Sequence, residues 1–160
     1  MDDKDRQIIR VLQADGRISN QDLSERVNLS PSPCLRRLRL LEDRQVIRGY
    51  TAIVDEEAFG LPVTAFVRIR LQNHDSRTVA GFEKAIQAID AVLDCYLMTG
   101  SADYLLRVVA ESLRDYETFV REHIHPIPGV ASMDTGFAYG IVKRSTVFPD
   151  RRQAPPRPRR

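Results

Sequence analysis

Two clusters of residues in this 160-residue chain are of types that can recognise a charged partner. The first is LSPSPCLRRLRLLEDRQVI, Leu29 to Ile47. Ser30 stands where an N-cap oxygen would accept from the orphan N–H groups of a helix, and Pro31 takes the first helical position, where a missing N–H costs nothing. At about 100° per residue, Cys34, Leu38 and Leu41 fall on one side, and Ser32, Arg36 and Arg39 on the other. One side suits a core. The other suits phosphates and base edges, because Arg neutralises phosphate or bonds guanine bidentately and a helix N-terminus favours an anion. An ordinary surface helix with a solvated basic face shows the same pattern, and the helix by itself does not choose between the two.

The second cluster is Gly100, Ser101 and Asp103. Glycine permits positive φ and close backbone approach, Ser101 offers a hydroxyl, and Asp103 can pair with an α-ammonium group, a set that suits a zwitterion. A plain hairpin turn closed by an Asx bond uses the same residues. Enzymatic constellations are poorer. His74 falls in a loop, and His123 and His125 have an i,i+2 spacing that points to different helix faces, so surface histidines are expected, with no metal and no cofactor. Neither a phosphate-binding glycine loop nor a Cys-His pair at catalytic spacing is present. Cys34 and Cys95 lie in apolar periodic segments and are expected as buried free thiols.

Composition agrees with a globular protein: 42% of residues are hydrophobic and 29% charged. The charge is uneven. Residues 1–50 hold ten Lys/Arg against eight Asp/Glu, residues 51–149 nine against thirteen, and residues 150–160 five against one, giving +2, −4 and +4. An acidic middle between basic ends means that only part of the chain is built to meet nucleic acid. No apolar run is long enough to span a bilayer and the start MDDKDR is charged, so a cytoplasmic location without membrane contact is expected.

The elements that must hold these clusters follow from periodicity. Asp5 to Ala14 places Ile8, Ile9 and Leu12 on one helical face, closed by Asp15-Gly16. Ser19 with Asp22 reads as a capping box and Ile18 with Leu23 as its hydrophobic staple, starting a second helix at Asn20 that Asn28 breaks. A third helix follows within a few residues, so the two form a helix-turn-helix unit. RGYTAIVD alternates like a strand or wing, and Asp55 to Gly60 reads as one helical turn. The period then changes. Val63, Ala65, Val67, Ile69 and Leu71 alternate inward in a strand; Val79, Phe82, Ile86 and Ile89 line a helix; VLDCYLMT and YLLRVVA are strands around Gly100-Ser101. Leu113, Tyr116, Val120 and Ile124 line a second helix ended by Pro126 and Pro128, and Met133, Thr135, Phe137, Tyr139 and Ile141 alternate in a last strand. Strand, helix, strand, strand, helix, strand is the ferredoxin-like arrangement. The fold class is therefore α+β: a (winged) helix-turn-helix domain over residues 1–60, a ferredoxin-like βαββαβ domain over 61–148, and a disordered basic Pro/Arg tail over 149–160. A four-stranded sheet with both helices on one face leaves the other open to a second copy of the chain.

With both halves in view, the chain resembles the leucine-responsive/asparagine-synthesis (Lrp/AsnC) family of transcriptional regulators from Asp2 to Thr146. LSPSPCLRRLRLLEDRQVIRGYTAIVD is similar to that family's recognition helix and following strand; MTGSADYLLRVV and IPGVASMDTGFAYGIVKRST are similar to its ligand-responsive domain. The resemblance implies double-stranded DNA as partner, dimers formed through the sheets and commonly assembled into octamers, and a small effector, usually an amino acid. Its groove-facing residues would be Ser30, Ser32, Pro33, Arg36, Arg37 and Arg39. Its effector residues would be Thr99, Gly100, Ser101, Asp103 and Tyr104, with Thr135 and Gly136 nearby. Gln45 departs from the family's usual glycine, and Leu40 from a usual basic or polar residue. Sirohaem decarboxylases resemble the same two-domain family, which makes a tetrapyrrole-pocket enzyme the alternative reading; the basic third helix favours DNA.

Overall fold

The structure is a computed structural model and describes residues 1–149, so the tail from Asp150 lies outside it. The chain divides into two compact units, one of Met1–Ile53 with the described residues from Val142 on, the other of Val54–Ile141.

The first unit has three helices: α1 (Asp3–Ala14), α2 (Asn20–Arg26) and α3 (Pro31–Asp43). Asp2, one residue outside α1, accepts from the Asp5 N–H at 2.9 Å while the Asp5 carboxylate accepts from the Asp2 N–H at 2.9 Å, a reciprocal capping box. Ser19 caps α2 through the Asp22 N–H, and its hydroxyl in turn donates to the Asp22 carboxylate at 2.7 Å. Helices α2 and α3 end alike. Leu29 N–H reaches Ser24 O and Asn28 N–H reaches Glu25 O; Val46 N–H reaches Leu41 O and Gln45 N–H reaches Glu42 O. Each pair is a Schellman closure, which needs a left-handed residue after the helix. Asn28 takes it at φ 52° and Gln45 at φ 55°. Gln45 thus makes the turn that glycine makes more cheaply. Ile8, Leu23, Val27, Cys34 and Leu41 form the core.

No strand follows α3: residues 48–62 are irregular, and Tyr50, Ile53 and Val54 are exposed. The wing expected there is not formed. Alternation gives a segment two faces, but a strand also needs a neighbouring edge for its N–H and C=O groups. Asp55 to Gly60 makes a turn, with Phe59 N–H on Asp55 O at 3.0 Å.

The second unit is β1 (Val63–Leu71), α4 (Ser76–Gln87), β2 (Val92–Leu97), β3 (Tyr104–Ala110), α5 (Leu113–Phe119) running into a π turn (Val120–Ile124), and β4 (Val130–Phe137). The antiparallel sheet has the order β2-β3-β1-β4. This is the ferredoxin-like topology. Ala65, Val67, Ile69, Leu106 and Val108 pack beneath Phe82, Ile86, Tyr116 and Phe119. On the opposite sheet face Arg68 pairs with Asp134 at 2.8 Å. There too Arg107 reaches Asp94 at 2.6 Å and Glu56 at 3.2 Å. Gly129, at φ 89°, is held where an added Cβ would lie 2.5 Å from Thr78 Cγ2, and its carbonyl accepts from Gln72 N–H.

Three expectations change here. Leu113 is 62% exposed at the first position of α5, directly after its Ser112 cap, and Phe119, one turn beyond Tyr116, joins the core beside Tyr116 and Ile124. Strand β4 stops at Phe137, so Tyr139 and Ile141 are exposed rather than inward. Cys34 is buried, but Cys95 is exposed, since β2 is an edge strand with only one neighbour to cover it.

Candidate functional site

Helix α3 carries the first cluster. Ser30 has the extended backbone of an N-cap, φ −74° and ψ 152°, yet its side chain makes no capping bond. The reason is local. Pro31 and Pro33 remove two of the first three N–H groups of the helix, leaving little to cap. Asn20 Nδ2 instead donates to Pro31 O at 3.1 Å and ties the starts of α2 and α3 together.

Three successive cationic positions on this helix have different surroundings. Arg36 and Arg39 are exposed, as are Ser32 and Pro33. Arg37, a turn of 100° away, lies against α1: its Nη1 donates to Asp2 Oδ2 at 2.7 Å and Asp5 Oδ1 at 2.8 Å. The backbone N–H of Asp5 and then Arg37 hold the Asp2 carboxyl below the usual carboxylate range; the Asp2 and Asp5 bonds push the Arg37 guanidinium up. Asp2 therefore caps α1 and clamps α3 with one carboxylate. Leu40 is exposed beside the arginines. The clamp was not read from the sequence, although a capping Asp at the chain start was a signal for it.

The second cluster surrounds the β2–β3 turn. Gly100 sits at φ 113°, and Thr99, Gly100 and Ser101 are exposed. Asp103 shapes the turn: its Oδ2 accepts from Leu71 N–H at 2.7 Å and its Oδ1 meets His74 Nε2 at 2.9 Å. Its own N–H bonds Ile69 O, and its carbonyl accepts from Met98 N–H. The His74 bond, then the Leu71 N–H, hold its carboxyl below the usual range. Tyr104 is buried, 4.6 Å between ring centroids from Phe82, with its hydroxyl donating to Glu83 at 2.9 Å. Burial and then Glu83 push its phenol up to about 12.

Thr135 and Gly136 lie on β4, paired with Val67 and Phe66 of β1. Strand alternation sends them to opposite faces. Thr135 is on the helix side, its Oγ1 2.6 Å from the Tyr116 hydroxyl, while Gly136 is on the open side beside Phe66. Within this unit the turn residues and Asp103 are brought together, whereas Tyr104, Thr135 and Gly136 face elsewhere. His74 on Asp103 and the Arg107–Asp94–Glu56 group were missed, because long-range pairs leave no periodic trace.

Comparison with known proteins follows the same division. Residues 1–48 match the profile described as winged helix-turn-helix DNA-binding, and residues 64–148 that described as Lrp/AsnC ligand binding domain. The transcriptional regulator AzlB of Bacillus subtilis is 36% identical, with 93% of this chain and 95% of that protein covered. The Bkd operon transcriptional regulator of Pseudomonas aeruginosa is 41% identical over 86% of this chain and 90% of that one. Among solved structures, the transcriptional regulator NMB0573/L-Met complex from Neisseria meningitidis superposes with a TM-score of 0.89 at 36% identity, covering 93% and 96% of the two chains. A helix-turn-helix with a clamped, basic third helix, a ferredoxin-like unit with an exposed glycine turn, and this breadth of similarity make the chain a member of the Lrp/AsnC family of transcriptional regulators.

Proposed function

We propose that this regulator reads double-stranded DNA through the solvent face of α3, with Ser30, Ser32, Pro33, Arg36 and Arg39 toward the groove. Arg37 orients the helix rather than reading bases. One such helix spans only a few base pairs, so useful specificity requires two of them about one DNA turn apart, which a symmetric dimer supplies. The open sheet face, carrying Phe66 and Tyr96 with the Arg68–Asp134 pair, is the surface on which the dimer forms; dimers assemble further into an octamer. DNA as partner places the protein in the cytoplasm.

The effector is an amino acid. The observation that carries this is the turn Thr99–Ser101, exposed and left-handed at Gly100, with the Asp103 carboxylate anchored behind it. The turn offers backbone N–H groups and a hydroxyl to a carboxylate, and Asp103 Oδ1 offers an acceptor to an ammonium group that displaces His74. The Neisseria relative was solved with L-Met, which makes methionine the first candidate. Tyr104, Thr135 and Gly136 face away from the turn within one chain, and they join the site as walls only where neighbouring subunits meet.

A thermal-shift screen of the twenty amino acids tests this. At a ligand concentration of 100 Kd, binding to the folded state adds about 2.7 kcal/mol, a readable rise in Tm, and Ser101→Ala should reduce it. The same ligand must change DNA affinity by the factor by which DNA changes its own affinity. If no amino acid stabilises the wild type, the effector reading fails while the DNA reading stands.

A further inference from the structure

Four hydrogen bonds hold Asp103 among the described residues, and they are not alike. Its N–H donates to Ile69 O, its carbonyl accepts from Met98 N–H, and its Oδ2 accepts from Leu71 N–H at 2.7 Å. Those three partners are backbone, fixed by the sheet. The fourth is a side chain: Oδ1 meets His74 Nε2 at 2.9 Å, with the imidazole 68% exposed and the carboxylate 23%. His74 belongs to the loop of residues 72–75, which is held at both ends without it. Gln72 N–H donates to Gly129 O at 2.8 Å, and the Asp75 carboxylate accepts from Arg77 and Thr78 N–H at 2.9 Å to cap α4. The imidazole can therefore swing away while Asp103 and the loop stay where they are.

Oδ1 is the oxygen of Asp103 that the backbone leaves uncommitted, and a protonated imidazole fills it as an ammonium group would. The two compete for one anion. Imidazole changes charge between about pH 5 and 8. The other charged groups around the pair keep theirs in that range. Arg70, at the end of β1, acts on Asp103 as a permanent cation. Thr78, through its N–H and then its hydroxyl, holds the Asp75 carboxyl below the usual carboxylate range. Burial and then Glu83 push the Tyr104 phenol up to about 12. The His74 bond and then the Leu71 N–H keep Asp103 itself ionised. The carboxylate and ammonium of a free amino acid hold their charges there as well, so among these groups the proton on His74 is the variable one.

We propose that His74 is the built-in competitor of the effector: protonated, it occupies the ammonium subsite on Asp103 and excludes the amino acid, and neutral, it yields. An ammonium group that takes its place leaves the imidazole beside a cation and without its anion, so the ring gives up its proton to solvent. Binding at the acid side therefore expels a proton, and affinity rises with pH across the imidazole range. A ligand without an ammonium group, such as a 2-oxo acid, has nothing with which to displace His74, so the same residue restricts the class of ligand. The inference rests on the reading of the Thr99–Ser101 turn as the effector site.

The experiment is calorimetric titration of the full-length protein with L-methionine across the imidazole range, in two buffers of different ionisation heat so that released protons are counted. Wild type should lose about tenfold or more in affinity between about pH 7.5 and about pH 5.5 and release up to about one proton for each ligand bound. His74→Gln keeps a donor for Asp103 without the charge; its affinity should stay within about twofold over the same range, with no proton released. His74→Ala should behave alike, and both should bind more tightly than wild type at the acid end. The 2-oxo acid corresponding to methionine should bind wild type roughly tenfold or more weakly, for want of the charged bond. A flat wild-type profile, a slope that survives in His74→Gln, or weaker binding by both variants at every pH would overturn the competitor role, the last making His74 a structural tie only. Ser101→Ala separates the two readings. If it weakens a pH-independent binding, the turn stands as the site and only the role of His74 falls. If it binds as wild type does, or if L-methionine binds none of these proteins at any pH, the reading of the turn breaks and takes this inference with it.

Discussion

Arg37 in the first unit and Asp103 in the second are both charged residues in the middle of a recognition segment, and both are turned inward as ties, yet they are assigned that work by different means. On α3 the assignment is angular. Arg36, Arg37 and Arg39 differ by steps of about 100°, and only the middle one meets the carboxylates of Asp2 and Asp5. On the β2–β3 turn the assignment is topological: Asp103 is bound by Leu71 N–H and His74, residues some thirty positions earlier that the crossover brings to it. A helix sorts its side chains before anything packs on it. A turn acquires its roles only when the sheet closes.

The strongest test of that contrast lies on α3. Arg36→Ala/Arg39→Ala should cost about 1 to 3 kcal/mol of DNA binding for each lost base contact, or flatten the salt slope by about one for each lost phosphate contact. Arg37→Ala should instead lower the stability of the first unit slightly, as expected of a solvent-screened pair, with a smaller effect on binding. Fluorescence anisotropy and urea melts on the same proteins separate the two. Equal binding losses in folded Arg36→Ala and Arg37→Ala would erase the division of labour.

On the turn the effect is expected in stability. Asp103→Ala leaves the Leu71 N–H without its acceptor and should cost about 1 to 3 kcal/mol. Because the folded carboxyl is held below its ordinary value of 3.8, its contribution is complete above that pH and is lost as pH falls through the folded value. Acid melts of the wild type should therefore be steeper than those of Asp103→Asn. Parallel acid limbs would show that the carboxylate is not a tie.

The smallest effect sharpens the comparison at the end of α3, where helix geometry overrides residue preference. Gln45→Gly should relieve the left-handed strain at φ 55° and, after the added chain entropy, stabilise the first unit by roughly 0.5 kcal/mol in a urea melt. A destabilised variant would mean that the Gln45 side chain, whose Nε2 donates to Glu42 O at 3.2 Å, outweighs the strain.

What the sequence determined by itself was everything with a period or a cap. Ile8, Leu23, Cys34 and Leu41, and Ala65, Val67, Ile69 and Phe82, are buried where spacing put them, and Ser19 caps where Asp22 required it. These are consequences of contacts within a few residues, which any stretch of chain carries with it. Tertiary structure decided the rest. The segment after Ile47 alternates but found no strand to pair with; Cys95 is apolar in context but fell on an edge; Leu113, at the start of α5, was left exposed while Phe119 joined the core. Thr135 and Gly136, neighbours in sequence, were separated by the sheet, whereas Gln13 and Thr146, 133 residues apart, were joined. Such outcomes depend on which surfaces meet after collapse, and no local pattern encodes a partner that the chain reaches only by folding.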